Sequence, residues 1–352
     1  MSIRRDYLFE DGFAKLNSLN EKLKGTIRVE LTSSNGTVEA GIDGGGVFKE
    51  FFTQLIKTAY NTEYGLFKET ADRRLFPNPQ SNAIIAEDSR QFEFLGKILG
   101  KAVYENILVE LPLANFFLAK LLGKYNYGKI YCFLCNLLIY LVHDLVFLDP
   151  DVYKNINRLR NMDNIEDLSL TFTTMEEVFG KPELVELIPG GKDILVTNEN
   201  KIKFIARMAD YKLNQSIKRQ SAAFLAGFQQ IIPTQLLKIF NQNELQTLIS
   251  GTSGGIDIED LKKHCVYSGG YHADHPVIQR FWNVLASFSP ENQHQFLMFV
   301  TSCSRVNNIF KFLKYSNYFI GTIAWIWVFT AWILHPPSFA FRIRCRPVVT
   351  YK

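Results

Sequence analysis

Cysteine is scarce in this 352-residue chain, with five in all, and no charged-then-apolar leader follows Met1. An odd, small thiol count without a leader argues against a secreted disulfide scaffold, so the reducing cytoplasm is the expected compartment. Blocks of Lys or Arg are also absent. The 39 basic and 35 acidic residues, net +4, are spread along the chain, which leaves no stripe to track phosphates and excludes a nucleic-acid partner. No internal repeat or low-complexity tract occurs, and the 47 residues from Val306 to Lys352 hold no Asp or Glu. What is present is apolar: 47% hydrophobic and 14% aromatic residues, including 29 Phe. That composition supports a packed core and excludes a disordered chain. The length exceeds the usual single-core size, predicting two domains or one two-lobed unit.

Periodicity predicts a mostly helical α+β chain. Leu8, Phe13, Leu16, Leu19 and Leu23 recur at helical spacing from Arg5 to Lys24, and Gly25 ends the run. Thr26 to Leu31 and Thr37 to Ala40 alternate about the turn Ser34-Asn35-Gly36, predicting a hairpin. Further helices follow from Phe48, Phe51, Phe52, Leu55 and Ile56, then from Phe94, Leu95, Ile98, Leu99 and Val103, then over Leu113 to Leu122. Residues 149–201 change character: Leu168–Phe172 and Ile194–Thr197 read as short strands about the turn Pro189-Gly190-Gly191, a small α+β insertion. Thr197 and Asn198 are good helix caps, after which Ile202, Ile205, Ala209, Leu213 and Ile217 fall on one face. Helices are expected to resume through Phe224, Phe228, Leu236, Leu245 and Leu248, then Trp282–Ser287 and Phe296–Val300.

Several local patterns invite chemistry, and each fails on spacing or context. Gly41-Ile-Asp43-Gly44-Gly45-Gly46 lacks both the Gly-Lys-Ser/Thr ending and the G-x-G-x-x-G spacing of phosphate loops. It reads as a tight turn with Asp43 as a cap. Gly251-Thr-Ser253-Gly-Gly255 matches G-x-S-x-G, but a helix ending near Ile249 precedes it where the nucleophile elbow needs a strand. Asp257 then caps the next helix. His264, Cys265, His272, Asp274 and His275 lack the paired spacing of a closed zinc site. Cys132-x-x-Cys135 is a lone pair in an apolar run with no βαβ setting.

A series of words in fixed order is more informative. They include Ile3-Arg-Arg-Asp6, Gly41–Phe51, Tyr64-Gly-Leu-Phe67, Phe76-Pro-Asn-Pro79, Phe94–Glu105, Leu148-Asp-Pro150, Val196–Lys201, Ala209–Asn214, Leu248–Gly251, Gly269-Gly-Tyr271, His275-Pro276, Phe281-Trp282 and Phe299–Arg305. Through these words the chain resembles the HECT-type ubiquitin-protein ligases, and is most similar to their B/C-subtype branch, whose members carry an IQ motif upstream. The resemblance implies an α+β fold: a mostly helical N-terminal lobe over residues 1–305, carrying a small α+β insertion at 149–201 that binds the ubiquitin-conjugating enzyme. By position it places the conjugating-enzyme contacts at Ile156, Leu159, Leu168 and Thr171, the other reading of these four being core packing of the insertion. It also implies ubiquitin and a protein substrate as partners, a cysteine thioester as intermediate, and no metal or organic cofactor.

The chain departs from the family in two segments. After Arg305 the family's Pro-Leu-x-Gly-Phe and Leu-Pro-x-x-x-Thr-Cys-x-Asn elements do not occur, so the native C-terminal lobe is expected to be missing. Cys345 follows Arg344, with Pro347 in the place of the asparagine, and Cys303 belongs to the end of the N-terminal lobe. No catalytic residue is therefore assigned. Tyr315–Leu334 is uncharged and long enough for a membrane span, with Lys or Arg on both sides. Gly128–Val142 is apolar, and short for a span. Both segments are expected to be translated intron: Gly128-Lys129 and Val306-Asn307 can each be encoded with a GTAAA donor. Excision of the first would join Tyr127 to Val142-His143-Asp144 in frame.

Overall fold

The computed structural model describes residues 1–39, 46–85, 87–124, 144–178, 180–251, 257–265, 267 and 269–301. The chain enters as β1 (Ser2–Arg4), which pairs in parallel with β2 (Glu30–Thr32) so that Ile3 and Leu31 meet in the core. Arg4 pairs with Asp11 at 2.7 Å, and this hydrogen-bonded guanidinium holds the carboxyl down at about 2. The single helix expected over Arg5–Lys24 is instead a 3-10 turn, α1 (Leu8–Leu16) and a 3-10 stretch over Asn17–Lys24 ending at Gly25. Leu16 and Leu19 lie three apart, which suits the tighter i→i+3 turn. The expected hairpin shrinks to one bridge, Thr32–Val38, because Leu31 finds its neighbour in β1. Ala40 lies outside the described residues.

The remaining elements of the main lobe follow in order. They are α2 (Gly46–Ala59), the antiparallel pair β3 (Phe67–Glu69) and β4 (Leu75–Pro77), α3 (Ser81–Ile84), α4 (Asp88–Tyr104), α5 (Asn115–Leu121) and α6 (Pro150–Asn161). The antiparallel pair β5 (Thr173–Val178) and β6 (Lys181–Glu186) comes next, then α7 (Lys201–Asp210), α8 (Lys218–Ile231) and α9 (Gln242–Ser250). The result is α+β and mostly helical, as the sequence predicts. Phe48, Phe51, Phe52, Leu55 and Ile56 of α2 are buried, as are Phe94, Leu95, Ile98 and Leu99 of α4. Phe67 sits among aromatic rings, 4.6 Å from Tyr60 and 5.7 Å from Phe92 by centroid. Such buried rings contribute about 1.5–3 kcal/mol each by removal from water.

The helices α4 and α8 approach more closely than side chains would allow. A methyl group placed on Gly96 would lie 2.0 Å from the Phe224 carbonyl oxygen, and one on Gly227 would lie 1.8 Å from that of Glu93. The glycines of Phe94-Leu-Gly-Lys-Ile-Leu-Gly100 are therefore a backbone-to-backbone seam. At its end Asp88, buried, accepts two 2.7 Å bonds from Arg219 and one from Ser81 Oγ.

Ile205, Ala209, Leu213 and Ile217 are buried on one face, as predicted, but Ile202 is exposed. Each four-residue step on a 3.6-residue helix rotates the stripe by about 40°. A π-turn over Tyr211–Gln215, closed by Ser216 N–H donating to the Tyr211 carbonyl, widens the helix where the stripe would otherwise leave the core. That turn carries a buried polar chain: Lys120 Nζ donates to Asn214 Oδ1, and Asn214 Nδ2 donates to Asp210 Oδ1 at 2.9 Å. Burial pushes the Lys120 ammonium down to about 8, while the Asp210 charge opposes that fall. Leu236, expected in a packed helix, is helical but exposed, on the short helix Thr234–Leu237 that follows α8.

A second, smaller cluster forms beyond Asp257 from α10 (Ile258–His264), α11 (Pro276–Ser287) and α12 (Pro290–Thr301). Ile278, Trp282 and Leu285 are its buried centre, and Trp282 Nε1 donates to Tyr267 Oη at 3.1 Å. Among the described residues no helix is long and apolar enough to cross a membrane. The segments 128–142 and 306–352, including the 315–334 stretch, lie outside the described residues.

Candidate docking surface

The insertion starts at a strong helix boundary. Asp149 Oδ1 accepts from Val152 N at 3.0 Å and Pro150 occupies the first helical position, so α6 begins at the word Leu148-Asp-Pro150. Val152, Tyr153, Ile156 and Leu159 repeat at helical spacing and pack toward the main core. Ile156 is only 3% exposed, and this is a correction to its expected place at the surface: it is core, because it lies at the centre of that apolar face. Leu159 is half-buried on the same side. Leu168, which ends a 3-10 turn before the left-handed Ser169, is 45% exposed, and Thr171 is half-buried.

The strands of the insertion also differ from the expected ones. Leu168–Phe172 and Ile194–Thr197 meet only through the bridge Thr171–Leu195, whereas the true hairpin is β5 with β6. Phe172 turns inward, its ring 5.5 Å and edge-on to Phe204. Thr171 Oγ1 and Thr173 Oγ1 are 2.9 Å apart, so their side chains share a face. Period-two alternation carries that face to Met175, and cross-strand pairing adds Leu195 opposite Thr171, Glu186 opposite Thr173 and Leu184 opposite Met175. Met175, Leu184 and Leu195 are 59%, 58% and 57% exposed. The outcome is a face on which Met175, Leu184, Leu195 and Glu186 are turned to water while Thr171 and Thr173 are half-buried. The other face of the hairpin is tied down by Lys212 Nζ, which donates to Glu176 Oε1 at 2.7 Å.

A second set of bonds holds the strip's far edge. Asn198 N donates to Glu166 Oε1 at 2.9 Å, and Lys201 Nζ donates to the Met162 carbonyl at 2.6 Å. The Asn198 backbone bond is the main reason that the Glu166 carboxyl lies below its ordinary range. Thr197 and Asn198 thus do not cap α7, which starts from Asn200; Asn198 fastens the Val196–Lys201 word to the loop before Leu168. Met175, Leu184 and Leu195 escape sequence reading because they are isolated apolar residues in polar surroundings. Only the alternation of Thr173 and Met175 about Gly180 hints at them.

The remaining motifs separate cleanly. A helix, α9, does precede Gly251, in disagreement with a nucleophile elbow; Ser253 lies outside the described residues. His275 Nδ1 accepts from Val277 N at 3.2 Å as a helix cap, with Pro276 at the first position. Cys265 is half-buried, and burial pushes its thiol up to about 11. The Gly41–Gly45 loop, the Cys132–Cys135 pair, Cys303 and Cys345 lie outside the described residues.

Comparison with known proteins bears on the whole lobe. The family model described as HECT-domain (ubiquitin-transferase) matches residues 53–311. The E3 ubiquitin-protein ligase UPL6 of Arabidopsis thaliana is 47% identical over 305 residues, which is 86% of this chain and 28% of that protein. The human Ubiquitin-protein ligase E3B is 46% identical over 310 residues, 87% of this chain and 28% of its own length. The E3 ubiquitin-protein ligase HUL5 of Saccharomyces cerevisiae is 37% identical over 303 residues, 85% of this chain and 32% of that protein. The chain therefore spans about a third or less of the curated relatives it matches.

Proposed function

The chain belongs to the HECT-domain (ubiquitin-transferase) family, and from that premise we propose that residues 149–201 dock a ubiquitin-conjugating enzyme for a ubiquitin-protein ligase of the B/C-subtype branch. The similarity to human Ubiquitin-protein ligase E3B supports the branch. One observation carries the docking reading: Met175, Leu184 and Leu195, with the half-buried Thr171 on the same face, form an exposed apolar strip on a hairpin anchored from behind, and Leu168 is exposed as well. Exposed apolar side chains on a rigid support suit a modest protein interface. Leu159 and Ile156 act from beneath by fixing α6. Calorimetry with a purified conjugating enzyme tests this. Leu168→Asp or Leu184→Asp should weaken binding by about 2–4 kcal/mol, as a charge at an interface centre does, and unchanged affinity in both would remove the strip from the interface.

In the family reaction a cysteine thiolate attacks the thioester carbonyl of the charged conjugating enzyme. It takes ubiquitin as a new thioester, releases the enzyme's thiol, and yields ubiquitin to a substrate lysine amine. No cofactor enters that exchange. Residues 306–352 offer only Cys345 near the family's position, without its Thr and Asn neighbours. On this reading residues 149–201 dock the enzyme in the cytoplasm, and no cysteine within residues 1–352 takes ubiquitin from it. A non-reducing gel after incubation with charged enzyme checks this, and a thioester band lost in Cys345→Ser would overturn it.

The segments 128–142 and 306–352 are, on the same reading, translated intron sequence. In support, Lys124 Nζ donates to the Phe240 carbonyl just before the first segment, and Ala71 N donates to the Phe147 carbonyl just after it. Both flanks are thus fastened to the lobe. Removing residues 128–141 should leave folding and docking intact. Mature message that retains both segments, with an Ile320–Leu334 peptide found in alkali-resistant membranes, would instead favour a membrane-anchored docking module.

A further inference from the structure

We infer that the π-turn over Tyr211–Gln215 is a coupling device, in which a buried polar chain beginning at Lys120 of α5 holds Lys212 against Glu176 and so latches the β5–β6 hairpin to the main lobe. The coupling does not depend on what the hairpin binds. Two side chains of the turn converge on Asp210: Asn214 Nδ2 donates to Oδ1 at 2.9 Å and Gln215 Nε2 to Oδ2 at 3.1 Å. On an ordinary α-helix a residue five positions on lies about 140° around the axis, turned away from that carboxylate. In a turn closed from i to i+5 the fourth and fifth residues straddle the first, so the two bonds together hold the wide register. Ser216 completes it. Its N–H goes to the Tyr211 carbonyl, and its hydroxyl donates at 2.9 Å to the Lys212 carbonyl, the acceptor that its N–H would have in an α-helix.

Asp210 and Asn214 are buried, and through Asn214 Oδ1 the chain reaches Lys120, which is buried too. Lys212 stands two residues after Asp210, about 200° around the helix. It therefore leaves on the opposite side, where its Nζ donates to Glu176 Oε1 at 2.7 Å. The side chains of that pair are 18% and 24% exposed, so water screens it less than a surface ion pair. Tyr211 lies near the same carboxylate: burial, then the Glu176 charge, push its phenol up to about 12. At the other end α8 cannot turn to absorb a change, because Gly96 and Gly227 bring its backbone against α4. Loss of the wide register is taken up on the α7 side, where each residue of register is worth about 100° of rotation. Lys212 then swings away from Glu176, and the hairpin loses its latch.

Hydrogen exchange of the full chain, read by mass spectrometry on peptides covering residues 173–186, tests the coupling. Lys212→Met should speed exchange there roughly fivefold, while Lys212→Arg, which keeps the ion pair, should stay near wild type. Gln215→Ala and Lys120→Met, which cut the chain behind the turn, should each speed it roughly threefold. Adding either to Lys212→Met should change nothing further, since the latch is already open. Peptides from α4 and α8 report whether each variant keeps the folded lobe; if Lys120→Met does not, Gln215→Ala decides. Hairpin exchange at the wild-type rate in Lys212→Met, or in folded Gln215→Ala, would overturn the inference. Effects that multiply in the double variants would overturn it as well, leaving the turn as an accommodation between α7 and α8 alone.

Discussion

Between α4 and α8 the protein removes side chains so that two backbones can touch; on the β5–β6 hairpin it sets side chains out in water. At the seam Gly96 and Gly227 leave no room for a methyl group, and the surrounding Phe side chains are buried. On the hairpin Met175 and Leu184 face each other across the strands and are both mostly exposed. The seam gains its stability from dense contact, where any added atom must displace backbone. The hairpin gains little for folding from its outer face, so its residue choices there are free to serve recognition. A short anchor, the Glu176–Lys212 pair with Val185 behind it, is enough to hold that face in place.

The sharpest way to break this contrast is at the glycines. Gly227→Ala should destabilise the chain by about 3 kcal/mol or more, since the overlap is with a carbonyl oxygen in a helix that cannot rotate away. Gly180→Ala, at a hairpin turn with φ near +73 and nothing within 4 Å, should cost only about 1–2 kcal/mol. Equal shifts in urea midpoint would remove the distinction. The second test asks whether the lobe's interior tolerates charge without cost. Lys120 is pushed down to about 8 when folded, against an ordinary 10.5, so between those values the unfolded chain keeps a proton that the folded one gives up. Stability from this group therefore rises with pH across that window, by roughly 3 kcal/mol at most, and the penalty is fully present below it. Lys120→Met should lack that rise when its urea unfolding is compared with wild type on either side of the window. The smallest effect belongs to the hairpin. Leu184→Ser and Met175→Ser should change unfolding free energy by no more than about 0.5 kcal/mol yet weaken binding of the conjugating enzyme in calorimetry. A large loss of stability would make these residues structural.

Much of the lobe is legible in the sequence because long helices repeat their apolar residues many times. The Phe48–Ile56 and Phe94–Leu99 patterns each place several side chains correctly, and errors at one position do not change the element. Short strands offer no such redundancy. Three residues suffice for β1, and its parallel partner lies 26 residues beyond its end, so the local alternation before Ser34 suggested a hairpin instead. In the insertion the alternating Leu168, Leu170 and Phe172 looked more strand-like than Thr173–Val178, but Phe172 and Leu170 turn inward against the lobe, and the ladder forms in the polar stretch that follows. Of the positions carried over from the family, Thr171 is half-buried on the face it shares with Met175, and Ile156 is in the core beneath. A position can be carried over from a resemblance, but the side of a helix that packs depends on what lies behind it, here the α7 helix.

The seam also bears on how the chain is made. Its two helices are separated by about 110 residues, so α4 leaves the ribosome long before α8 exists to cover it. At ordinary synthesis rates of about 5–20 residues per second, the apolar face around Gly96 and Gly100 waits on the order of ten seconds for its partner. The insertion must be accommodated within that same interval, inside the loop that the seam will later close. A nascent chain in this condition presents a glycine-notched aromatic surface to whatever chaperones attend the tunnel exit, and any pause in translation between codons 104 and 231 lengthens that exposure.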